Sequence, residues 1–291
     1  MKDLLQSALS FISEQSKDKK KGLPVAMSCY EGDIIRAIVS YASLLRVSNQ
    51  DHLLYLFPDE GIDKEYIELI STCKKVCIFQ KSDVLLNLSN LGFSKLTLEV
   101  LARNHSLNKM IAYMLLDSKL FCFDPDVFFF SEPVEMMYSK CQLVAWYERN
   151  ANDHNTTKFL GFEKFNANMG CIIADYTLWM KNCKFVVATV NRLVEWNQFQ
   201  KSTYPEYLRW HWIDQGLTPS IFKLLGASIY IIEDSKYIHP KCSNYVDFNN
   251  MQSYIDAGFV AVHHFGAKTL SRSFFKTSDD RKQFLSSLLT I

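Results

Sequence analysis

The sequence carries almost no net charge. Lys+Arg number 32 and Asp+Glu 31, a formal net charge of +1 over 291 residues. No global field draws it to nucleic acid, and no nucleic-acid partner is expected. No stretch is long and apolar enough to span a bilayer. The apolar run after Met1 is broken by Gln6, Ser7 and Ser10 and followed by charge, so no signal peptide is expected. The 8 cysteines (Cys29, Cys73, Cys77, Cys122, Cys141, Cys171, Cys183 and Cys242) include no C-x-x-C pair, and the 7 His do not stand at ligand spacing from them. That argues against zinc and for reduced, buried thiols in a reducing compartment. A cytoplasmic location is expected. Neither G-x-G-x-x-G nor G-x-x-x-x-G-K-[ST] occurs, so neither a dinucleotide fingerprint nor a P-loop is supported. There is no internal repeat and no low-complexity segment.

What the chain does have is apolar and aromatic mass. It is 48% hydrophobic, with 21 Phe and 14 Tyr, enough for a large core and for aromatic-lined pockets. Its most unusual stretch is Lys119-Leu120-Phe121-Cys122-Phe123-Asp124-Pro125-Asp126-Val127-Phe128-Phe129-Phe130. The apolar run suits a strand buried on both faces of a mostly parallel sheet. Pro125 cannot donate to a ladder, so pairing should stop there. Pro125 also favours an extended Asp124, which would send the Asp124 and Asp126 side chains the same way. In open α/β sheets the place beyond a strand's carboxyl end is the ligand crevice. Two adjacent carboxylates repel, and a divalent cation held jointly with a substrate's phosphates relieves this. A D-x-D is also a common solvated turn. The flanking Phe-Cys-Phe and Val-Phe-Phe-Phe argue against that reading.

In chain order, an apolar stripe on Asp3 to Ser16 predicts a helix, followed by the basic linker Lys17-Asp18-Lys19-Lys20-Lys21-Gly22. The linker reads either as a solvated run or as an anchor to acidic lipid headgroups. Leu23 to Cys29 reads as the first core strand. Tyr30-Glu31-Gly32-Asp33 is a tight loop before a helix from Ile34 to Arg46, an arrangement that favours anions. His52 to Phe57 and Lys75 to Gln80 read as strands with a helix, Lys64 to Cys73, between them. Such a β-α-β-α-β run predicts parallel pairing. Ser94 to Leu116 reads as mainly helical, Leu143 to Tyr147 as a strand, and Glu148 to Thr157 as a polar loop suited to substrate contacts.

Further on, Asn168 and Gly170 sit in an amide-rich turn feeding the strand that ends at Asp175, and a long helix is expected over Thr177 to Trp196. Gly170 allows close approach of a ligand, and Asn168 offers both a donor and an acceptor; an ordinary turn is the alternative. Trp210 and Trp212 beside Asp214 and Gln215 read either as a sugar platform or as a helix cap with two packing rings. Ala227 to Glu233 is a late strand. Val260 to Lys268 joins an apolar strand to His263, His264 and Lys268. His264 could complete a cation's coordination and Lys268 could neutralise phosphate. The tail from Leu270 reads either as a packing helix or as a basic amphipathic contact with a membrane surface, peripheral on its inner face.

Five of these stretches, in order, resemble the GT-A glycosyltransferases, most nearly glycosyltransferase family 8 and related nucleotide-diphospho-sugar transferases. They are the segment Ser28-Cys29-Tyr30 to Ser43-Leu44-Leu45, the Asp124/Asp126 pair, Asn168-Met169-Gly170, Asp214-Gln215, and His264-Phe265-Gly266-Ala267-Lys268. The last is a shortened form of the family's motif and lacks its Pro-Trp. Met169 replaces a small residue, and His263 could substitute for His264. The resemblance implies an α/β, GT-A (Rossmann-like) single catalytic domain over residues 23–270, with a mixed, mostly parallel central sheet flanked by helices. Residues 1–22 and 271–291 would then be terminal appendages. It also implies Asp124, Asp126 and His264 holding Mn²⁺ or Mg²⁺, Tyr30 and Asp33 on the base or ribose, and Asp124, Gly170 and Lys268 on the donor. Asn168, Asp214 and Gln215 would surround the donor sugar and the acceptor hydroxyl.

The activity the resemblance implies is metal-dependent, retaining transfer of a hexose from a UDP-sugar to a glycan or lipid-linked acceptor in surface polysaccharide synthesis. Loss of a nucleoside diphosphate needs charge neutralisation, which a metal supplies. Gln215 is no base, because an amide does not titrate. If retention is front-face, the departing phosphate takes the acceptor proton. The alternatives are a sugar-nucleotide or glycan binding protein without turnover, and a sugar-phosphate nucleotidyltransferase. The latter usually has a Gly-rich, Arg/Lys-bearing loop after the first strand, which Tyr30 to Asp33 does not provide.

Overall fold

In the computed structural model, residues 2–15, 19–147, 154–163, 165–203, 213–233, 236–238, 251–263 and 278–290 are described. The chain divides into two compact units: Met1–Ile78, Phe121–Tyr138 and Glu233–Ile291 form the first, Phe79–Leu120 and Ser139–Ile232 the second. Seven strands form one mostly parallel sheet flanked by helices, the α/β architecture the sequence leads one to expect.

The first unit starts with α1 (Lys2–Glu14), whose Leu4, Leu5, Ala8, Leu9 and Ile12 are buried. Its strands are β1 (Lys20–Lys21), β2 (Val25–Cys29), β3 (Gln50–Asp51), β4 (Leu54–Pro58), β5 (Val76–Ile78) and β6 (Lys119–Phe123). All five residues of β2 are buried, as a strand covered on both faces requires. β4 and β6 flank β2 in parallel, with Val25 opposite Leu54 on one side and Phe121 on the other, and β5 is parallel to β4. The crossovers are α2 (Ile34–Val47), from β2 to β4, and α3 (Lys64–Ser71), from β4 to β5. The β-α-β-α-β reading is therefore realised.

A second, three-stranded sheet follows the paired acids. β7 (Val127–Phe129) runs antiparallel to β12 (Ala261–His263), which is parallel to β11 (Tyr237–Ile238). The Phe run is chiefly core. Phe121, Phe123 and Phe129 meet edge to face, with centroids 5.0–5.6 Å apart. Phe128 meets Phe284 of α13 (Ser278–Thr290) at 5.8 Å. Phe130, ahead of α7 (Val134–Met137), stacks on Tyr254 of α12 (Met251–Asp256) at 4.8 Å.

Both terminal helices are packing elements. α1 packs against α2, α3 and α13, and Phe284, Leu285 and Leu288 of α13 are buried. The packing reading of the tail holds over the described residues; Arg272, Phe274, Phe275 and Lys276 lie outside them. In the basic linker, Lys19 is neither a solvated charge nor a lipid anchor. Its Nζ donates to the Leu45 and Ser48 carbonyls at 2.6 and 2.8 Å, capping the end of α2. Lys20 and Lys21 are exposed, paired with β3. Among the described residues no helix is long and apolar enough to cross a membrane. The seven described cysteines are free, and burial pushes the Cys29 thiol far up.

A polar knot closes this unit beside β2. His52 is fully buried; its Nδ1 lies 2.8 Å from the Leu23 carbonyl, so that nitrogen carries the proton. Its Nε2 then accepts from the Ser48 hydroxyl at 2.9 Å. Gly22 makes room, since a Cβ there would stand 2.6 Å from the ring. Burial holds the His52 pKa below its usual 6.5, outweighing the Leu23 bond. The unfolded chain therefore binds the proton more readily than the folded one, so stability is full above about pH 6.5 and falls as pH drops below it. We expect the urea midpoint to decline on acidification from pH 7 to 5, and His52→Gln to flatten that decline. An unchanged slope in the variant contradicts the assignment.

The second unit contains α4 (Lys81–Asn90), α5 (Lys95–Arg103), α6 (His105–Tyr113), β8 (Leu143–Tyr147), α8 (His154–Phe159), β9 (Ala167–Asp175), α9 (Tyr176–Lys181), α10 (Cys183–Thr203), α11 (Ile213–Leu224) and β10 (Ile229–Ile232). β8 pairs in parallel with β10 and antiparallel with β9. The end of the expected polar loop, from His154, is helical instead. The single long helix expected over Thr177 to Trp196 is two. Asn182 breaks it with non-helical φ −110° and ψ 29°, its amide donating to the Leu178 carbonyl.

Candidate functional site

The chemistry begins where β6 stops. Phe123 ends that strand and Val127 begins β7, leaving Asp124-Pro125-Asp126 between them. Pro125 and Asp126 turn the chain rather than continue it as an extended run. The segment is a tight turn in which the Val127 N–H donates to the Asp124 carbonyl at 3.0 Å. Asp at the first turn position and Pro at the second are favoured residues for such a turn, and the first position of a turn accepts an extended residue. The carboxylates still converge, because β12 brings a third group to them. The antiparallel register sets His263 opposite Val127. His263 Nε2 lies 3.1 Å from an Asp126 carboxylate oxygen and 3.8 Å from one of Asp124. One ligand atom from each of the three residues lies within 4.8 Å of the others. Asp126 is fully buried, and Asp124 keeps about a fifth of its side chain exposed, 20%.

Two carboxylate oxygens and an imidazole nitrogen form a donor set of the kind that holds a divalent cation. A fully buried carboxylate beside a second one is costly without a cation nearby, so the residues present fit such an ion. Among the described residues the histidine in reach is His263, the alternative the sequence left open. His264 and Lys268 lie outside the described residues.

Tyr30 and Asp33 lie on the short turn at the end of β2. Tyr30 is 40% exposed, and its carbonyl accepts from the Asp33 N–H at 2.8 Å. Asp33 is buried, and its carboxylate meets the equally buried Arg36 guanidinium. Arg36 is thus a charged neighbour of the loop that sequence reading missed. The signal was available: Asp and Arg stand three apart across a helix start.

The remaining residues belong to the second unit. Asn168 and Gly170 lie within β9 itself, not in a preceding turn. The ladder with β8 jumps there, from Ala145 opposite Ile172 to Trp146 opposite Asn168. The Gly170 N–H thus leaves the ladder and donates to the Asn168 side-chain oxygen at 2.6 Å. Such bulges recur beside active sites. Gln215 is buried in the first turn of α11, and α11 packs against β9. Asp214 lies in the same turn; its side chain, Trp210 and Trp212 are outside the described residues.

No family model matches the sequence, and neither does any curated protein sequence. Solved structures do match. A galactosyltransferase, LgtC, crystallised with donor and acceptor sugar analogues, superposes with a TM-score of 0.56 at 11% identity over 92% of this chain and 97% of its own. Mouse xyloside xylosyltransferase 1 gives 0.50 at 11% over 85% and 99%. The bifunctional glycosyltransferase WbbM gives 0.51 at 11% over 93% of this chain and 51% of that longer one. At such identities the likeness concerns architecture: the chain has the fold of the GT-A glycosyltransferases.

Proposed function

We propose that the protein is a metal-dependent, retaining glycosyltransferase. It moves a hexose from a nucleotide-diphospho-sugar, a UDP-sugar by preference, to a glycan or lipid-linked acceptor in surface polysaccharide synthesis. The observation that carries this is the convergence of Asp124, Asp126 and His263 where β6 ends, in a GT-A fold. These residues would hold Mn²⁺ or Mg²⁺, with His264 a further candidate in the same motif. Bound there, the ion supplies Lewis-acid neutralisation of the leaving diphosphate.

In this reading Tyr30 offers its exposed ring to the base or ribose, with Asp33 held beside it by Arg36. Lys268 neutralises phosphate. Gly170 leaves room for the donor in the β9 bulge, and the Asn168 and Gln215 amides orient sugar hydroxyls. Asp214 is the only one of these three sugar-side residues able to carry a charge facing an oxocarbenium-like centre. No strong base follows from the residue set, so the acceptor proton is assigned to the departing phosphate. We assign the work to the cytoplasmic side, with an acceptor at the inner membrane face.

The test is to incubate the protein with a panel of UDP-sugars and Mn²⁺ and to measure released UDP. The reading expects metal-dependent release with at least one donor. Donor binding without release from any donor would instead support a binding protein.

A further inference from the structure

We infer that Ser40, Ser43 and Arg46, spaced three apart along α2, are positioning residues for the candidate metal centre. The inference rests on the metal reading above. In an antiparallel pair, alternate residues turn their N–H and C=O to opposite edges. The Phe130 N–H donates to the Val260 carbonyl at 2.9 Å on the β12 side, so Val127 and Phe129 face the other edge. No strand lies there among the described residues. The side chains of α2 take its place. The Ser40 hydroxyl donates to the Val127 carbonyl, the Phe129 N–H donates to the Ser43 hydroxyl at 3.1 Å, and Arg46 donates to the Phe129 carbonyl at 3.2 Å. Ser40 and Ser43 are fully buried. Arg46 also donates to the Leu288 carbonyl at 2.9 Å, tying the last turn of α13 to the same strand.

The consequence is geometric. Val127 follows Asp126 directly and is the register partner of His263. A row that fixes the Val127 carbonyl therefore fixes the height of Asp126 against His263. Replacing a serine by alanine removes one oxygen and leaves a buried backbone group of β7 without its partner. The strand then regains freedom to shift, and the ligand set loosens. Groups that orient metal ligands typically change affinity by about 10- to 100-fold when removed.

The experiment titrates Mn²⁺ alone, following free ion by electron paramagnetic resonance, into wild type, Ser40→Ala, Ser43→Ala and Tyr41→Phe. Tyr41→Phe is the control. It removes a buried hydrogen bond from the same helix, to the His52 carbonyl, a group outside β7. We expect Ser40→Ala and Ser43→Ala each to weaken Mn²⁺ binding about tenfold. Tyr41→Phe should lower thermal stability yet keep the wild-type dissociation constant. Unchanged Mn²⁺ affinity in both serine variants overturns the inference, as does an equal loss in Tyr41→Phe. Failure of wild type itself to bind Mn²⁺ removes the metal reading and this inference together, so the two failures are distinguishable.

Discussion

Asp126→Ala is expected to lower turnover by about a thousandfold while the fold survives. The figure follows from the role proposed for the ion. Stabilising charge on a leaving diphosphate is worth several kcal/mol, and about 4 kcal/mol at about 1.36 per decade gives about 10³. Asp124→Asn should fall in the same range, because its oxygen belongs to the same ligand set. The fold should hold for a separate reason. Asp126 is a fully buried carboxylate, and such a charge opposes folding unless something neutralises it. The thermal midpoint of Asp126→Asn without metal should stay within a few degrees of wild type, relief of the buried charge offsetting the weakened contact with His263 at 3.1 Å. Wild type at a hundredfold excess of Mn²⁺ over its dissociation constant should gain about 2.7 kcal/mol, and the variant should gain nothing. Near-normal activity in both aspartate variants would refute the metal assignment.

The second large effect is in stability. Phe129→Ala should cost about 3–5 kcal/mol, the usual range for truncating a buried Phe. Phe129 is fully buried and edge to face with both Phe121 and Phe123. The void would open at the strand carrying the Ser43 and Arg46 contacts, so collapse around it is hindered. A thermal midpoint about 10 °C lower is expected at about 2–4 °C per kcal/mol. Leu86→Ala is the comparison: that side chain is 62% exposed, and the change should stay within about 0.5 kcal/mol. A Phe129→Ala midpoint as little changed as that of Leu86→Ala would show that the aromatic cluster is not what holds β6 to β7.

Some of this was legible in the residues and some was not. Strand β8 falls on Leu143–Tyr147 as its unbroken apolar pattern predicts. The parallel run β2, β4, β5 follows from the alternation of apolar runs with helical stripes. The acids at the end of β6 were readable because Pro125 and two carboxylates interrupt a Phe-rich run. Their geometry was not, since it depends on a turn and on a strand more than a hundred residues away. His263 comes to the two acids through its register with Val127, which no local pattern encodes. Asn168 and Gly170 read as a turn because their composition is that of one. A side chain that caps its own strand's bulge looks identical in sequence. The serines of α2 read as polar gaps in an apolar helix, and their partners lie on a strand more than eighty residues on.

The most direct test of the account is the anomalous difference density of a crystal grown with Mn²⁺ and UDP, recorded at the manganese edge. The account predicts one strong peak within coordination distance of Asp124, Asp126 and His263, bridged to the diphosphate. Density for UDP elsewhere on the chain, or no manganese peak among those three side chains, would contradict it.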